Sequence, residues 1–399
     1  MLTLSARGVQ TRGFSLTDKH VVLRMRSPAV EGEPTSAGDC LLTTDLEASS
    51  GTIVAFPDAM KAQFEVLPSG VRAVLLPESL AYLRDGDIVA LEPAHGVLRV
   101  LYRRNSPSNS LLVTERCNHY CLMCSQPPKD VDDSYIYAEL ERAVPLISKE
   151  THEIGITGGE PTLGGERFLT LLQSLKDHLP RTAVHILSNG RSFIDPGFAS
   201  AYASIHHHDA MVGIPIYADY AALHDYIVQS DGAFDETIRG ILNLKARGAR
   251  VEIRVVILKQ NADRLVRLAE FLARNLTFVD HVALMALEVT GFARANLDRI
   301  WTDPFDYQAS LAEASLLLEA SGLRVSVYNH QLCTVDRKIW HLARRSISDW
   351  KNEYLPECAS CAVRDQCAGF FATGRTRYSS YIRALTTDAL VPLPARADA

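Results

Sequence analysis

Between Leu111 and Ala286 the chain alternates six short apolar runs of strand length with five longer segments whose apolar residues recur at helical spacing. The runs fall at 111–114, 153–157, 183–187, 211–216, 251–258 and 281–286, and the helical segments near 134–148, 165–178, 196–204, 235–247 and 262–275. Strands joined through helices are not hairpin partners; each crossover returns the chain parallel to the strand before it. The pattern predicts an α/β fold on a parallel sheet, and six such units suit a partial (βα)6 barrel better than a closed eight-stranded one. In parallel α/β architectures the loops after the carboxyl ends of the strands carry the chemistry. The loop that follows the first run is therefore the first candidate site.

That loop holds Cys117, Cys121 and Cys124, spaced CxxxCxxC, in the run Thr114-Glu115-Arg116-Cys117-Asn118-His119-Tyr120-Cys121-Leu122-Met123-Cys124. Iron–sulfur clusters are ordinarily held by four cysteine thiolates, so three thiolates offered to a four-iron cluster leave one iron open to a ligand that is not protein. The second run ends in Ile156-Thr157-Gly158-Gly159-Glu160-Pro161. Two glycines at a strand's carboxyl end let backbone groups approach a ligand closely, and a glutamate after them can pair with an ammonium group. A Gly-Gly turn between strand and helix is common by itself; beside CxxxCxxC it gains weight.

At 399 residues the chain exceeds one ordinary core, and at about 150 residues per domain it predicts two or three domains. Residues 1–105 carry β-prone runs at 21–23, 51–55, 71–76, 88–91 and 97–101, broken by Gly, Pro, Asp and Ser, and read as a small β-rich module. The polar stretch 103–110 links it to the barrel of 106–305; a helix at 306–320 and a strand at 323–328 open an extension over 306–381, and 382–399 reads as a mobile tail. Eight cysteines are too sparse for a disulfide scaffold, and seven fall in two groups, which in a reducing compartment reads as metal binding. Cys40 is the leftover and reads as a small buried apolar residue. The second group is Cys333, Cys358, Cys361 and Cys367, whose CxxC spacing also allows a four-cysteine zinc site.

A net charge of −6 without any basic block or basic–aromatic stripe gives no support to nucleic-acid binding. No signal-type apolar core opens the chain and no run reaches the roughly 18 apolar residues of a membrane span, so a cytoplasmic protein with no membrane partner is expected. His206, His207 and His208 read as solvated helix-end residues. Glu252 and Arg254 alternate with apolar neighbours and form either an ion pair or part of the barrel mouth. Lys259, Asn261 and Glu288, at or beyond strand ends, divide evenly between ligand contacts and surface duty, and Asp130, Asp132 and Asp133 read as helix caps.

With these motifs in place, residues from about 111 to 300 resemble the radical S-adenosylmethionine (radical SAM) superfamily, whose partial (βα)6 barrel carries such a cysteine loop after strand one and a GGE motif after strand two. The resemblance implies a four-iron four-sulfur (4Fe–4S) cluster on Cys117, Cys121 and Cys124, its open iron chelated by the amino and carboxylate groups of S-adenosylmethionine (SAM). It places Gly158, Gly159 and Glu160 around that amino end, and Ser188 and Asn189, in Ile186-Leu187-Ser188-Asn189-Gly190, at the SAM border. In the family an electron from the reduced cluster cleaves SAM to methionine and a 5′-deoxyadenosyl radical, which takes hydrogen from the substrate. The cofactor supplies the hard chemistry, while the barrel orients it and excludes water and oxygen. An electron donor such as flavodoxin or ferredoxin is implied as well. Met123 departs from the family pattern, which usually has an aromatic residue before the third cysteine. Pro215 and Tyr217 stand where many peptide-modifying relatives have Ser and Asp. The stretch from His224-Asp225 through Gly232-Ala233-Phe234-Asp235 to Arg247-Gly248 matches that peptide-modifying branch.

The second cysteine group resembles the SPASM and twitch extensions of radical SAM maturases. Phe371 stands where a full SPASM pattern continues with a cysteine, so the resemblance implies one auxiliary 4Fe–4S cluster on Cys333, Cys358, Cys361 and Cys367. The longer runs 121–128, 291–296, 328–333 and 345–354 resemble the HxsC branch, the His-Xaa-Ser system radical SAM maturases. That likeness implies a ribosomally made precursor peptide or small protein as substrate, with a second radical SAM maturase and a small accessory protein of the same system. Two other functions stay open: a radical SAM enzyme acting on a small metabolite, and a non-catalytic iron–sulfur or zinc protein that cleaves no SAM.

Overall fold

A computed structural model describes residues 3–15, 17–27, 38–44, 53–68, 70–345 and 352–387. The chain divides into two compact units, one of Met1–Arg116, Lys129–Leu187 and Ala201–Ala210, the other of Cys117–Pro128, Ser188–Ser200 and Met211–Ala399. Among the described residues no helix is long and apolar enough to cross a membrane.

The first unit opens with a mixed sheet of eight strands: β1 (Ser5–Ala6), β2 (Gln10–Arg12), β3 (Val21–Arg26), β4 (Asp39–Leu42), β5 (Ile53–Pro57), β6 (Ala73–Leu76), β7 (Ile88–Glu92) and β8 (Val97–Tyr102). Neighbours from β3 to β6 run parallel, while β7, β8 and β1 on one side and β2 on the other pair antiparallel. The short helix α1 (Lys61–Glu65) lies in the β5–β6 crossover. Alternation along the strands sends Leu23, Met25, Val89 and Leu91 to one core and Val54, Phe56 and Ala73 to another with Phe64. Cys40 sits fully buried in the first core, where burial pushes its thiol up to about 12, so it packs as a hydrophobe.

The same unit carries three parallel strands, β9 (Asn109–Leu112), β10 (Glu153–Thr157) and β11 (Ala183–Leu187), with β10 in the middle. Helices α2 (Tyr135–Ala143) and α3 (Glu166–His178) make the crossovers, and α4 (Pro196–Ser204) follows β11. In α2 the buried set Ile136, Tyr137, Leu140 and Ala143 is the i, i+1, i+4, i+7 stripe of a helix packed on one face. Its fully buried Glu139 accepts Arg99 Nη2 at 2.6 and 2.8 Å and lies 3.0 Å from His20 Nδ1, which ties α2 to β8. Arg99→Ala leaves that carboxylate buried with a weaker partner, and urea denaturation is expected to show a loss of about 3 kcal/mol.

The second unit holds five parallel strands, β12 (Ala210–Pro215), β13 (Arg250–Ile257), β14 (His281–Ala286), β15 (Val325–Tyr328) and β16 (Ala343–Arg344), each paired to the next. Its helices are α5 (Ala221–Val228), α6 (Ala233–Lys245), α7 (Leu265–Asn275), α8 (Phe292–Ala295), α9 (Leu297–Ile300) and α10 (Gln308–Ala320). A two-stranded antiparallel pair, β17 (Asn352–Glu353) and β18 (Phe370–Phe371), lies toward the carboxyl end. All six strands expected from the apolar runs are present, three in each unit, and β10, β11 and β14 have the expected bounds. Helix α5 was not expected: its eight residues are too short to set up a clear helical period. Residues 51, 52, 346–351 and 388–399, which carry parts of a predicted strand, of a family-like run and of the predicted tail, lie outside the described residues.

His330, just after β15, is almost fully buried, donating from Nδ1–H to Tyr328 O at 2.7 Å and accepting the Tyr307 hydroxyl at Nε2, 2.9 Å away. Burial pushes its pKa down to about 4. Between pH 6.5 and 4 the unfolded chain binds this proton and the folded chain does not, so stability is lost as the pH is lowered through that window. The expected loss, about 3 kcal/mol in denaturant titrations of the anaerobically prepared protein, should vanish in His330→Gln.

Candidate functional site

In the first unit, the chain leaving β9 stays laddered to the glycine turn after β10. Val113 N–H donates to Thr157 O at 2.9 Å, Gly159 N–H to Thr114 O at 2.8 Å, and Glu160 N–H to Arg116 O at 2.8 Å, the residue before Cys117. A Cβ on Gly158 would meet Thr114 O at 2.5 Å, so this glycine is required by the approach of two protein backbones. Glu160 is 1% exposed, and its Oε1 accepts the Thr162 N–H at 2.9 Å and hydroxyl at 2.6 Å. Asp133 does not cap α2 with its side chain. It accepts the Thr114 hydroxyl at 2.8 Å and the Glu115 N–H at 2.6 Å, pinning the chain ahead of the cysteines, whereas Asp132 accepts the Ser134 N–H at 3.1 Å as a local turn.

The second unit clamps the cysteine loop from two sides. Tyr120 and Leu122 N–H groups donate to Val228 O and Ile227 O at the end of α5, at 3.1 and 2.9 Å. On the other side Phe292 N–H donates to Cys124 O at 2.8 Å, and Asn296 Nδ2 to Leu122 O at 2.9 Å. Gly291 has φ +55°, and a Cβ there would lie 2.5 Å from the carbonyl oxygens of both Cys124 and Ser125. Leu122 and Met123 fill an apolar core with Tyr217, Ile227, Leu258 and Ala293, so Met123 serves as a packed apolar wall. Asn189 Nδ2 donates to Asn118 Oδ1 at 2.6 Å, which joins the turn after β11 to the cysteine loop, while Ser188 Oγ accepts Gly190 N–H at 3.0 Å.

Within that loop burial pushes the Cys121 thiol far above its usual range, and Cys124 and Cys117 add to the shift. Burial also raises Cys124. Thiols so placed ionise only beside a compensating positive charge, which iron supplies when it coordinates sulfur. The donor set therefore fits an iron–sulfur cluster with an open position.

Cys333, Cys358, Cys361 and Cys367 line a single small cavity of about 20 Å³. Leu332 N–H donates to Cys367 Sγ at 3.5 Å and Leu385 N–H to Cys361 Sγ at 3.4 Å, contacts that stabilise thiolates. Burial raises the thiols of Cys333 and Cys367. Residues 382–387, placed by sequence in the tail, are folded against this cavity: Ile382 and Arg383 line it, and Ala362 N–H donates to Leu385 O at 2.9 Å. Among the described residues no three His, Cys, Asp or Glu side chains are gathered tightly around a single-ion position.

The weaker candidates resolve mostly into structure. Arg254 and Glu252 pair at 2.6 Å, and the carboxylate continues to His281 Nδ1 at 2.7 Å, whose Nε2 lies 3.0 Å from Ser326 Oγ. The Asn261 side chain is taken up by Leu258 N–H, Tyr217 O and Val256 O. Lys259 is exposed and Glu288 half-buried, and His207 stacks on His208 with ring centroids 5.1 Å apart. Asn118, Gly291 and Asn296 were not singled out by chemistry, although 291–296 lay in a run chosen for its likeness to relatives. A glycine directly before an aromatic residue was the one local signal.

Residues 111–272 match the profile of the radical SAM superfamily. Over this segment the chain is similar to radical SAM domains. None of the curated proteins is similar enough in sequence to match. Among solved structures, SuiB of Streptococcus suis bound to S-adenosylmethionine is 16% identical, with 57% of this chain and 51% of that one covered and a TM-score of 0.46. SuiB bound to its precursor peptide SuiA is 15% identical, covering 56% and 49% at a TM-score of 0.44. Native anSMEcpe with bound AdoMet is 18% identical, covering 55% and 63% at 0.43. The chain thus spans about half the length of the SuiB structures.

Proposed function

We propose that this chain cleaves SAM reductively and modifies a ribosomally made peptide or small protein of the His-Xaa-Ser type, working with a second radical SAM maturase, a small accessory protein and a flavodoxin- or ferredoxin-like donor in the cytoplasm. The observation that carries the reading is the CxxxCxxC spacing of Cys117, Cys121 and Cys124 in a loop held by backbone hydrogen bonds to the end of α5 and the start of α8. These three would hold the 4Fe–4S cluster, with Gly158, Gly159, Glu160, Ser188 and Asn189 binding SAM. Their combined chemistry when bound is reductive cleavage of SAM to methionine and a 5′-deoxyadenosyl radical that takes hydrogen from the substrate. The chain's own contribution is orientation and exclusion of water. Leu122 and Met123 wall the loop with apolar surface, and the Phe292 and Asn296 hydrogen bonds fix its carbonyls.

Cys333, Cys358, Cys361 and Cys367 would hold the auxiliary cluster, and their common cavity supports that assignment. Four protein ligands leave no position there for substrate, which favours a peptide substrate over a small metabolite bound to iron. Support for the peptide comes from 224–248 and from the runs 121–128, 291–296 and 328–333 that resemble the His-Xaa-Ser maturases. The test is mass spectrometry of a His-Xaa-Ser precursor co-expressed with this protein and its partner maturase. A changed precursor mass that depends on Cys124 is expected; an unchanged mass with SAM and reductant present would count against the peptide assignment.

A further inference from the structure

A cavity of about 60 Å³ lies in the second unit where three strands end. Ile257, the last residue of β13, Ala286, the last of β14, and Asn329, the first after β15, all line it. Ligands of parallel α/β folds sit at that end of the strands. The cavity borders both cysteine groups. Leu287, in its wall, packs against the core that holds Leu122 and Met123 of the cysteine loop. Gln331, Gly369 and Phe370 line it and also line the cavity of Cys333, Cys358, Cys361 and Cys367.

Size, charge and hydrogen bonding limit what fits. A volume of about 60 Å³ has room for roughly five waters, which suits the five ring atoms of an imidazole better than a phenol or an indole. Trp301, Tyr307, Phe370, Phe371 and Tyr378 belong to the lining, which favours a flat ring. Among the described residues Arg377 is the one charged residue of the lining, and it is already committed, paired with Asp298 and stacked over the Trp301 ring at 4.7 Å. No carboxylate among the described residues lines the cavity, so nothing there balances a cation. Polar groups are in place for a neutral ligand. Asn329 Nδ2 donates to Ala286 O at 3.4 Å and Gln331 Nε2 to Gly369 O at 2.8 Å, while their amide oxygens and the Thr302 hydroxyl have no partner among the described residues. A neutral imidazole offers one N–H and one lone-pair nitrogen, the complement of an amide oxygen and a hydroxyl.

We propose that this cavity is the specificity pocket for a histidine of the substrate, whose neutral imidazole sits among the aromatic residues, donates its N–H to the Asn329 amide oxygen and accepts the Thr302 hydroxyl at its other nitrogen. The pocket rests on the His-Xaa-Ser reading above and names the side chain by which that substrate is recognised. No bond is made or broken in it. A peptide anchored here is held against the apolar wall that Leu287 shares with the cysteine loop.

The test titrates two fluorescein-labelled synthetic peptides, one of His-Ala-Ser repeats and one with alanine for every histidine, with the anaerobically reconstituted holoenzyme. SAM is present so that the open iron is taken, and fluorescence anisotropy reads binding. The native protein is expected to bind the histidine peptide about tenfold or more tightly than the alanine peptide, the margin of one or two hydrogen bonds. Asn329→Gly removes the amide and tolerates the φ of +62° at that position, and Thr302→Val removes the hydroxyl at nearly the same shape. Each variant should bring the two peptides within about threefold of each other by weakening the histidine peptide, with iron content as in the native protein. Equal affinity of the native protein for both peptides overturns the pocket and leaves the peptide reading in place, and so does a full histidine preference kept by both variants. A loss that falls alike on both peptides overturns it as well, because it marks a structural role. Binding of neither peptide by the native protein contradicts the peptide reading and the pocket with it.

Discussion

Cys124→Ala is expected to form no 5′-deoxyadenosine from SAM and dithionite, yet to keep about four of the roughly eight irons that two 4Fe–4S clusters contain. The substitution removes a sulfur and little else. The position of residue 124 is set by its backbone, through Cys124 N–H to Cys121 O at 3.0 Å and Phe292 N–H to Cys124 O at 2.8 Å, and alanine retains both. What is lost is one of three ligands in a set with no spare. Cys361→Ala is the reciprocal case: Leu385 N–H loses its acceptor, the second cavity loses a ligand, and iron there should fall while the first site keeps its own. Because metal ligation in loop-rich segments contributes directly to folding, protease cleavage within 352–387 should accelerate as well. Iron and sulfide counts on both variants check the assignment, and unchanged iron in either would reassign that cysteine.

Gly291→Ala is expected to be nearly as damaging without touching a ligand. With φ +55° and ψ −129° this residue lies where side chains are essentially excluded, and its Cβ would press on two carbonyl oxygens of the cysteine loop at 2.5 Å. Relief requires the loop to move off α8, which breaks the Phe292 hydrogen bond and pulls Cys124 from its place. A rate loss of about a hundredfold, equivalent to roughly 3 kcal/mol, and depleted iron at the first site are expected. Gly248 supplies the control. Its φ is +76°, but nothing lies within 4 Å of a Cβ there, so Gly248→Ala should cost about 1 kcal/mol of stability and leave iron and turnover intact. Equal behaviour of the two variants would show that backbone strain alone, and not loop displacement, explains Gly291.

The parallel sheet could be read from the sequence because its signal is local. The runs 153–157 and 183–187 alternate apolar residues and stop at Gly158 and Ser188, so their ends follow from the residues themselves. The CxxxCxxC motif stands out for the same reason: its spacing is contained in eight residues. The clamp does not, because Asn296 and its acceptor Leu122 lie 174 residues apart and neither residue type announces the other. Helix α5 escaped because it is bracketed by extended Tyr220 and left-handed Gln229, leaving eight residues with three buried positions and no second turn of pattern. Asp133 was misread by position: it precedes a helix, as a cap does, but its side chain turns back to Thr114. The amino-terminal strands were visible as β-prone runs. Their mixed pairing was not, since β3 to β6 neighbour one another in parallel through connections that carry no repeated helical pattern.

The central claim is that this chain cleaves SAM at the Cys117, Cys121 and Cys124 site. Its most direct test is the amount of 5′-deoxyadenosine formed when the anaerobically reconstituted protein, carrying about eight irons, is given SAM and dithionite. Time-dependent 5′-deoxyadenosine and methionine in equal amounts, absent in Cys124→Ala, is the predicted result. Full iron content without 5′-deoxyadenosine would contradict the account.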